Sequence, residues 1–283
     1  MGFLPMAELL ADARRRQYAV PSFCAWNAET IETVLRIAAR MHAPVIVMTG
    51  AVEFALLRPR LIGEIARLLI EEYPVPAALH LDHGDSLELV DACLAARFTS
   101  VMLDYSAKPF AENVAALQQV VARAHPHGVT VEAEIGHVGR VDNISIESAR
   151  PSTLTEPADA AAFVEATHVD ALAISIGNAH GQYTQLPQFD FPRLAAIQEA
   201  TSIPLVLHGG SGTPDDELRQ AIALGITKVN VATDLTRAVR ESLLRQWREG
   251  RNLWTPVAQE EAARAMEPAI ERWIARTGAE GKA

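Results

Sequence analysis

The chain has 283 residues, 49% of them hydrophobic and 21% charged, with a formal net charge of -10. This balance excludes a disordered or fibrous polymer and supplies a large core. No apolar run reaches the ~20 residues that span a bilayer, and the negative field disfavours a nucleic-acid partner while leaving a small anionic substrate open. The two cysteines, Cys24 and Cys93, match no disulfide framework or metal spacing, and the apolar start around Met6 is soon interrupted by Glu8 and Asp12. The expectation is a cytoplasmic protein with no membrane partner.

In chain order, a helix over Ala7–Arg16 precedes the first strand and is placed to cover a barrel floor. Strands are predicted at Tyr18–Phe23, Val45–Thr49, Ala77–Leu81, Ser100–Asp104, Thr130–Ile135, Ala171–Ile176, Leu205–Leu207 and Lys228–Val231. Several are almost wholly apolar, as strands covered on both faces must be. Helical patterns alternate with them at Glu29–Met41, Leu61–Glu72, Leu87–Ala96, Ala111–His125, Ala158–Ala166, Phe191–Ala200 and Pro214–Leu224. Asn27 is a cap candidate for the first of these, and Thr213-Pro214-Asp215-Asp216 reads as a helix start. Helices Asp234–Glu249 and Ala258–Arg276 end the chain. Eight strand–helix units without a linker point to an α/β protein: a single (β/α)8 TIM barrel with additional N-terminal and C-terminal helices, one domain over 1–283. A two-domain doubly wound sheet is the competing architecture. The polar stretch Gly136–Thr155 is long for a structureless loop, a length usually reserved for function.

Catalysis in such barrels sits at the C-terminal strand ends. There the chain places Asp82 and His83, Asp104, His180, His208 and Asn230, while Glu132 and Glu134 alternate on strand five and share a face. Three imidazoles, His83, His180 and His208, can converge as a catalytic zinc site. His42, His80, His125, His127, His137 and His168 are read as core, supporting or solvent histidines. Asp82 is a general acid/base or an orienter of His83; Asp104 and Glu132 are candidate buried acceptors; Glu134 is a candidate fourth ligand. The Gly209-Gly210-Ser211-Gly212 turn and the Asn230-Val231-Ala232-Thr233 segment can cradle an anion with backbone N–H groups, or simply form tight turns.

These motifs together, with His80-Leu81-Asp82-His83-Gly84, Val131-Glu132-Ala133-Glu134-Ile135-Gly136 and Gly177-Asn178-Ala179-His180-Gly181, resemble the class II ketose-bisphosphate aldolases of the fructose- and tagatose-bisphosphate type. The likeness runs from about residue 5 to the C-terminus. It implies reversible, metal-dependent aldol cleavage of a ketose phosphate to dihydroxyacetone phosphate and an aldehyde, through a zinc-stabilised enediolate. Carried over by position, His83, His180, His208 and Glu134 hold one Zn2+, and Asp82 acts on the hydroxyl at the cleaved bond. Gly181, Gly209, Gly210, Ser211, Asn230, Val231, Ala232 and Thr233 bind dihydroxyacetone phosphate. Asp142 stands where the family has its loop glutamate. The resemblance also implies a monovalent cation (Na+ or K+) and a homodimer or homotetramer.

The sequence departs from the family at Cys24 (usually Asn), Met48 (often Gln), Gly50 (a small hydroxyl residue), Ala107 (often His) and the Gly139-Arg140-Val141-Asp142-Asn143 loop. These changes spare metal and phosphate motifs but alter the pocket, and point to a sugar other than fructose 1,6-bisphosphate. Arg140, or Arg264 reaching a neighbouring subunit, can anchor a distal anion, or both lie on a solvated surface. A Schiff-base mechanism needs a buried lysine at the mouth, and only Lys108, Lys228 and Lys282 exist. A non-catalytic sugar-phosphate-binding barrel and a metal hydrolase of the same shape are the alternatives. The hydrolase lacks support because the first strand carries no His-x-His.

Overall fold

The computed structural model describes residues 2–140, 152–181, 183, 186–251 and 254–283. Eight parallel strands close into a barrel in sequential order: β1 (Val20–Cys24), β2 (Val45–Gly50), β3 (Ala77–Gly84), β4 (Ser100–Leu103), β5 (Thr130–Ile135), β6 (Ala171–Ile174), β7 (Leu205–Leu207) and β8 (Ile226–Val231). Helices α2 (Ala28–Arg40) through α8 (Asp215–Ala223) occupy the seven crossovers, and α9 (Thr233–Arg248) follows β8. The predicted (β/α)8 barrel with helices added at both termini is the fold. Among the described residues no helix is long and apolar enough to cross a membrane.

The side-chain period of two divides each strand into an outward and an inward set. Outward residues such as Val47, Leu79, Val101, Val131, Leu172 and Val229 are fully buried beneath the helices. The register makes Lys228 level with Val20, Met48 with His80, His80 with Ser100, and Met102 with Glu132. The inward layers therefore carry charged and polar groups where such barrels usually stack branched apolar ones. Helix α1 (Met6–Arg16) closes the bottom: the Ala7 amide donates to Thr130 Oγ1 at 2.9 Å, and Ser100 Oγ reaches Met6 Sδ at 3.6 Å.

Local chemistry accounts for several element ends. Asn27 caps α2, its Oδ1 accepting from the Thr30 amide at 3.0 Å, as its position predicts. Helix α8 starts one residue later than expected: Pro214 is the cap, and no side chain caps it. The predicted helix Ala258–Arg276 is two helices, α10 (Thr255–Arg264) and α11 (Glu267–Arg276). Pro268 lacks the N–H that would bond the Arg264 carbonyl, and its ring clashes with that carbonyl, so the helix restarts.

Strand β3 differs most. It runs past the predicted Leu81 to Gly84, with a register shift against β4 between Leu81 and Gly84. His83 adopts φ 44° there, a left-handed conformation rare outside glycine. An ordinary strand would send Asp82 and His83 to opposite faces. The bulge re-aims the second side chain, so both line the barrel mouth.

Candidate functional site

A cavity of about 390 Å³ opens at the C-terminal ends of the strands. The rings of His83 (β3), His180 (after β6) and His208 (after β7) meet there, with centroids 4.9 Å apart for His83–His180, 4.7 Å for His83–His208 and 5.7 Å for His180–His208. One ligand atom from each lies within 4.8 Å of the others.

Carboxylates orient these rings. His83 Nδ1–H donates to Asp104 Oδ2 at 2.7 Å, and Asp104 Oδ1 accepts from the Ser106 amide at 3.0 Å. His208 lies between two acids, with Nδ1 2.9 Å from Glu134 Oε2 and Nε2 2.9 Å from Glu132 Oε1. The second oxygen of Glu134 accepts from the Val138 amide at 2.9 Å. In His83 the Asp104 contact fixes the tautomer and leaves Nε2 for a ligand, whereas His208 would have to give up one of its two carboxylate contacts to ligate. Below, Lys228 Nζ bonds both oxygens of Glu132, at 2.8 and 3.0 Å, and His80 Nδ1 meets Ser100 Oγ at 2.8 Å. Glu132 is thus an acceptor in a buried network, the role its position suggested; His80 is a buried supporting residue. Lys228 does not line the cavity, nor does any lysine among the described residues, which leaves a Schiff-base mechanism without its nucleophile.

The donor set fits a divalent cation. His83 Nε2 and His180 Nε2 are buried and have no hydrogen-bond partner. Burial favours a neutral His83, but the charge of Asp82 and the hydrogen bond to Asp104 overcome it and push the ring up to about 10. Protonated there, Nε2 would carry a buried N–H aimed at no acceptor, a costly state. A metal taking its lone pair relieves this while answering the same carboxylates. His180 moves the other way, held well below the ordinary range by burial and by the charges of His83 and His208. Neutral imidazole is the form that ligates.

Asp82 faces the same space. Burial opposes its charge, yet the charges of His83 and Lys228 bring it down to about 2. Asn230 Nδ2 donates to its Oδ1 at 2.8 Å. Beside it lies the anion cradle. Gly209 takes φ 67°, and a Cβ there would stand 2.0 Å from the Ala179 carbonyl oxygen. Ser211 Oγ accepts from the Asp234 amide at 3.1 Å, stitching the β7 turn to the first turn of α9. Gly181, Gly209, Ser211, Asn230, Ala232 and Thr233 all line the cavity; Gly210 is set back against the Asn230 carbonyl, and Val231 points outward from β8. Asp142 lies outside the described residues.

Sequence reasoning missed three groups. His137 lines the cavity, its Nδ1 3.0 Å from Ser106 Oγ, although nothing in its sequence position set it apart. The Tyr183 hydroxyl accepts from the Ala179 amide at 2.8 Å and donates to the Gly209 carbonyl at 3.2 Å, tying the β6 and β7 loops together. Glu53, in a single 3-10 turn after β2, also lines the cavity. Arg140 does too, whereas Arg264 is exposed at the end of α10 and paired with Glu260 at 2.6 Å.

The family model described as fructose-bisphosphate aldolase class-II matches residues 4–282. Among solved structures the chain is similar to the YdjI aldolase from Escherichia coli K12, at 31% identity over 99% of both chains, with a TM-score of 0.87. It shares its fold with a fructose-bisphosphate aldolase from Campylobacter jejuni, at 22% identity, covering 100% of this chain and 97% of that one, with a TM-score of 0.84.

Proposed function

The chain belongs to the class II fructose-bisphosphate aldolase family and is an aldolase; from that premise we propose that it cleaves a ketose phosphate reversibly to dihydroxyacetone phosphate and an aldehyde, using a divalent cation of the zinc type. The observation that carries this reading is the meeting of two orphaned imidazole nitrogens, on His83 and His180, with Asp82 and the Gly209–Ser211 turn in one cavity.

His83, His180 and His208 would hold the ion, with Glu134 within reach as a further ligand. When bound, it supplies a Lewis acid for the negative charge that builds on substrate oxygens as the carbon–carbon bond parts. The N–H groups at the start of α9 and the Ser211 turn take the phosphate, where the helix dipole favours an anion. Asp82, ionised and steadied by Asn230, accepts the proton of the hydroxyl on the carbon beyond the cleaved bond. The O–H electrons become the aldehyde carbonyl, and the carbon–carbon pair passes to the carbon that remains with the ketone. That carbon then takes up a proton, a role assigned to Asp142. The whole of 1–283 acts as one domain in this scheme.

An aldehyde-release assay over ketose 1-phosphates and bisphosphates, run with and without chelator alongside metal analysis, tests it. Cleavage of at least one member, abolished by chelation and restored by Zn2+, is expected. A metal-loaded protein that cleaves none would overturn the reading in favour of a sugar-phosphate-binding barrel.

A further inference from the structure

We propose that Glu53 selects the aldehyde half of the substrate, admitting a hydroxylated, uncharged terminus and rejecting a phosphorylated or carboxylated one. The inference rests on the aldol reading above and adds to it the chemical class of the second substrate.

The placement follows from the strand register. Asp82 meets the hydroxyl on the first carbon of the departing aldehyde, and Gly50 is its register partner on β2. In the closed barrel the ends of β1 and β2 stand between β3, which carries Asp82, and β8, so the wall beside Asp82 is built by Cys24, Gly50 and the turn carrying Glu53. Glu53 is fastened to that wall. Its Oε2 accepts from the Gly50 amide at 2.9 Å, and its Oε1 accepts from Cys24 Sγ at 3.6 Å. Glycine at 50 makes this possible, since a Cβ there would come within 3.0 Å of Glu53 Oε2. Burial drives the Cys24 thiol well up, and the charges of Glu53 and Asp82 add to it, so both carboxylates bear on the same corner.

Among the described residues no cationic side chain pairs with Glu53. Arg140 also lines the cavity, but its backbone bridges to His180 after β6, which lies opposite β2 in the closed barrel. A substrate terminus at this wall thus meets two carboxylates and a thiol, and among the described residues no cation is paired with Glu53. Hydroxyl groups can donate to the free lone pairs of Glu53, while an anion would face like charge in a partly desolvated cleft.

The test is aldol condensation with dihydroxyacetone phosphate, using paired acceptors of equal carbon length: glyceraldehyde against glyceraldehyde 3-phosphate, and erythrose against erythrose 4-phosphate. For the metal-loaded protein, kcat/KM should favour the uncharged member by about tenfold or more. Glu53→Gln retains an acceptor for the Gly50 amide and should narrow that gap by about tenfold, chiefly through a lower KM for the phosphorylated acceptor. Glu53→Asp should keep the preference. A native preference for phosphorylated acceptors, or a Glu53→Gln effect equal for both members of a pair, would overturn the assignment while leaving the aldol reading intact. Absence of condensation with all four acceptors in the metal-loaded native protein would remove both.

Discussion

Lys228 and Glu132 form an ion pair inside the barrel, Nζ 2.8 Å from Oε2, and both side chains are fully buried. The same glutamate receives His208 Nε2 at 2.9 Å. The lysine on β8 thus stands one carboxylate away from a proposed metal ligand and holds that carboxylate ionised against its burial.

Lys228→Met should therefore destabilise the fold by about 3–5 kcal/mol, the cost of leaving a buried charge without its partner. Urea unfolding followed by circular dichroism measures it. A loss below about 1 kcal/mol would show that the pair does not carry Glu132.

For the histidines, His208→Ala should remove the divalent cation and the cleavage activity together, with secondary structure retained. Metal analysis after dialysis and the aldehyde-release assay read the two effects side by side. Full activity in the variant would end the role proposed for His208.

Asp82→Ala separates proton transfer from metal binding. Its carboxylate touches Asn230, not the ring nitrogens proposed to ligate, so the variant should keep its metal while turnover falls by ~10²–10⁴-fold. A rate within a few-fold of the native one would transfer the acid/base role elsewhere.

The Gly209 turn tolerates no side chain. Gly209→Ala combines φ 67° with a Cβ 2.0 Å from the Ala179 carbonyl oxygen, so the β6 and β7 loops must move apart. The expected result is a loss of about 1–3 kcal/mol in stability and a raised KM for phosphorylated substrates. Unchanged thermal unfolding would contradict the described turn.

The barrel and its strand ends were legible because period and position are local properties. Apolar runs such as Val45–Thr49 announce strands covered on both faces, and the histidines at strand ends then fall at one rim. The alternation of Glu132 and Glu134 likewise places both inside, where the structure has them. Other features were not legible. The bulge that turns Asp82 and His83 to one side arises from β3 pairing with β4, a contact between segments about twenty residues apart. The break before α11 was readable from Pro268 but lay inside a strong helical pattern.

The amino-acid sequence alone determined the architecture, the family resemblance and the candidate metal and phosphate residues, since each rests on periodicity or on short motifs whose spacing survives folding. Only the tertiary structure decided which groups share the cavity. It brought His137 and Glu53 to the mouth, tied the β6 and β7 loops through Tyr183, sent Arg264 to the surface and buried Lys228 against Glu132. The physical reason is that these neighbours come from different strands and loops, and closure of the barrel, not nearness along the chain, sets the distances between them.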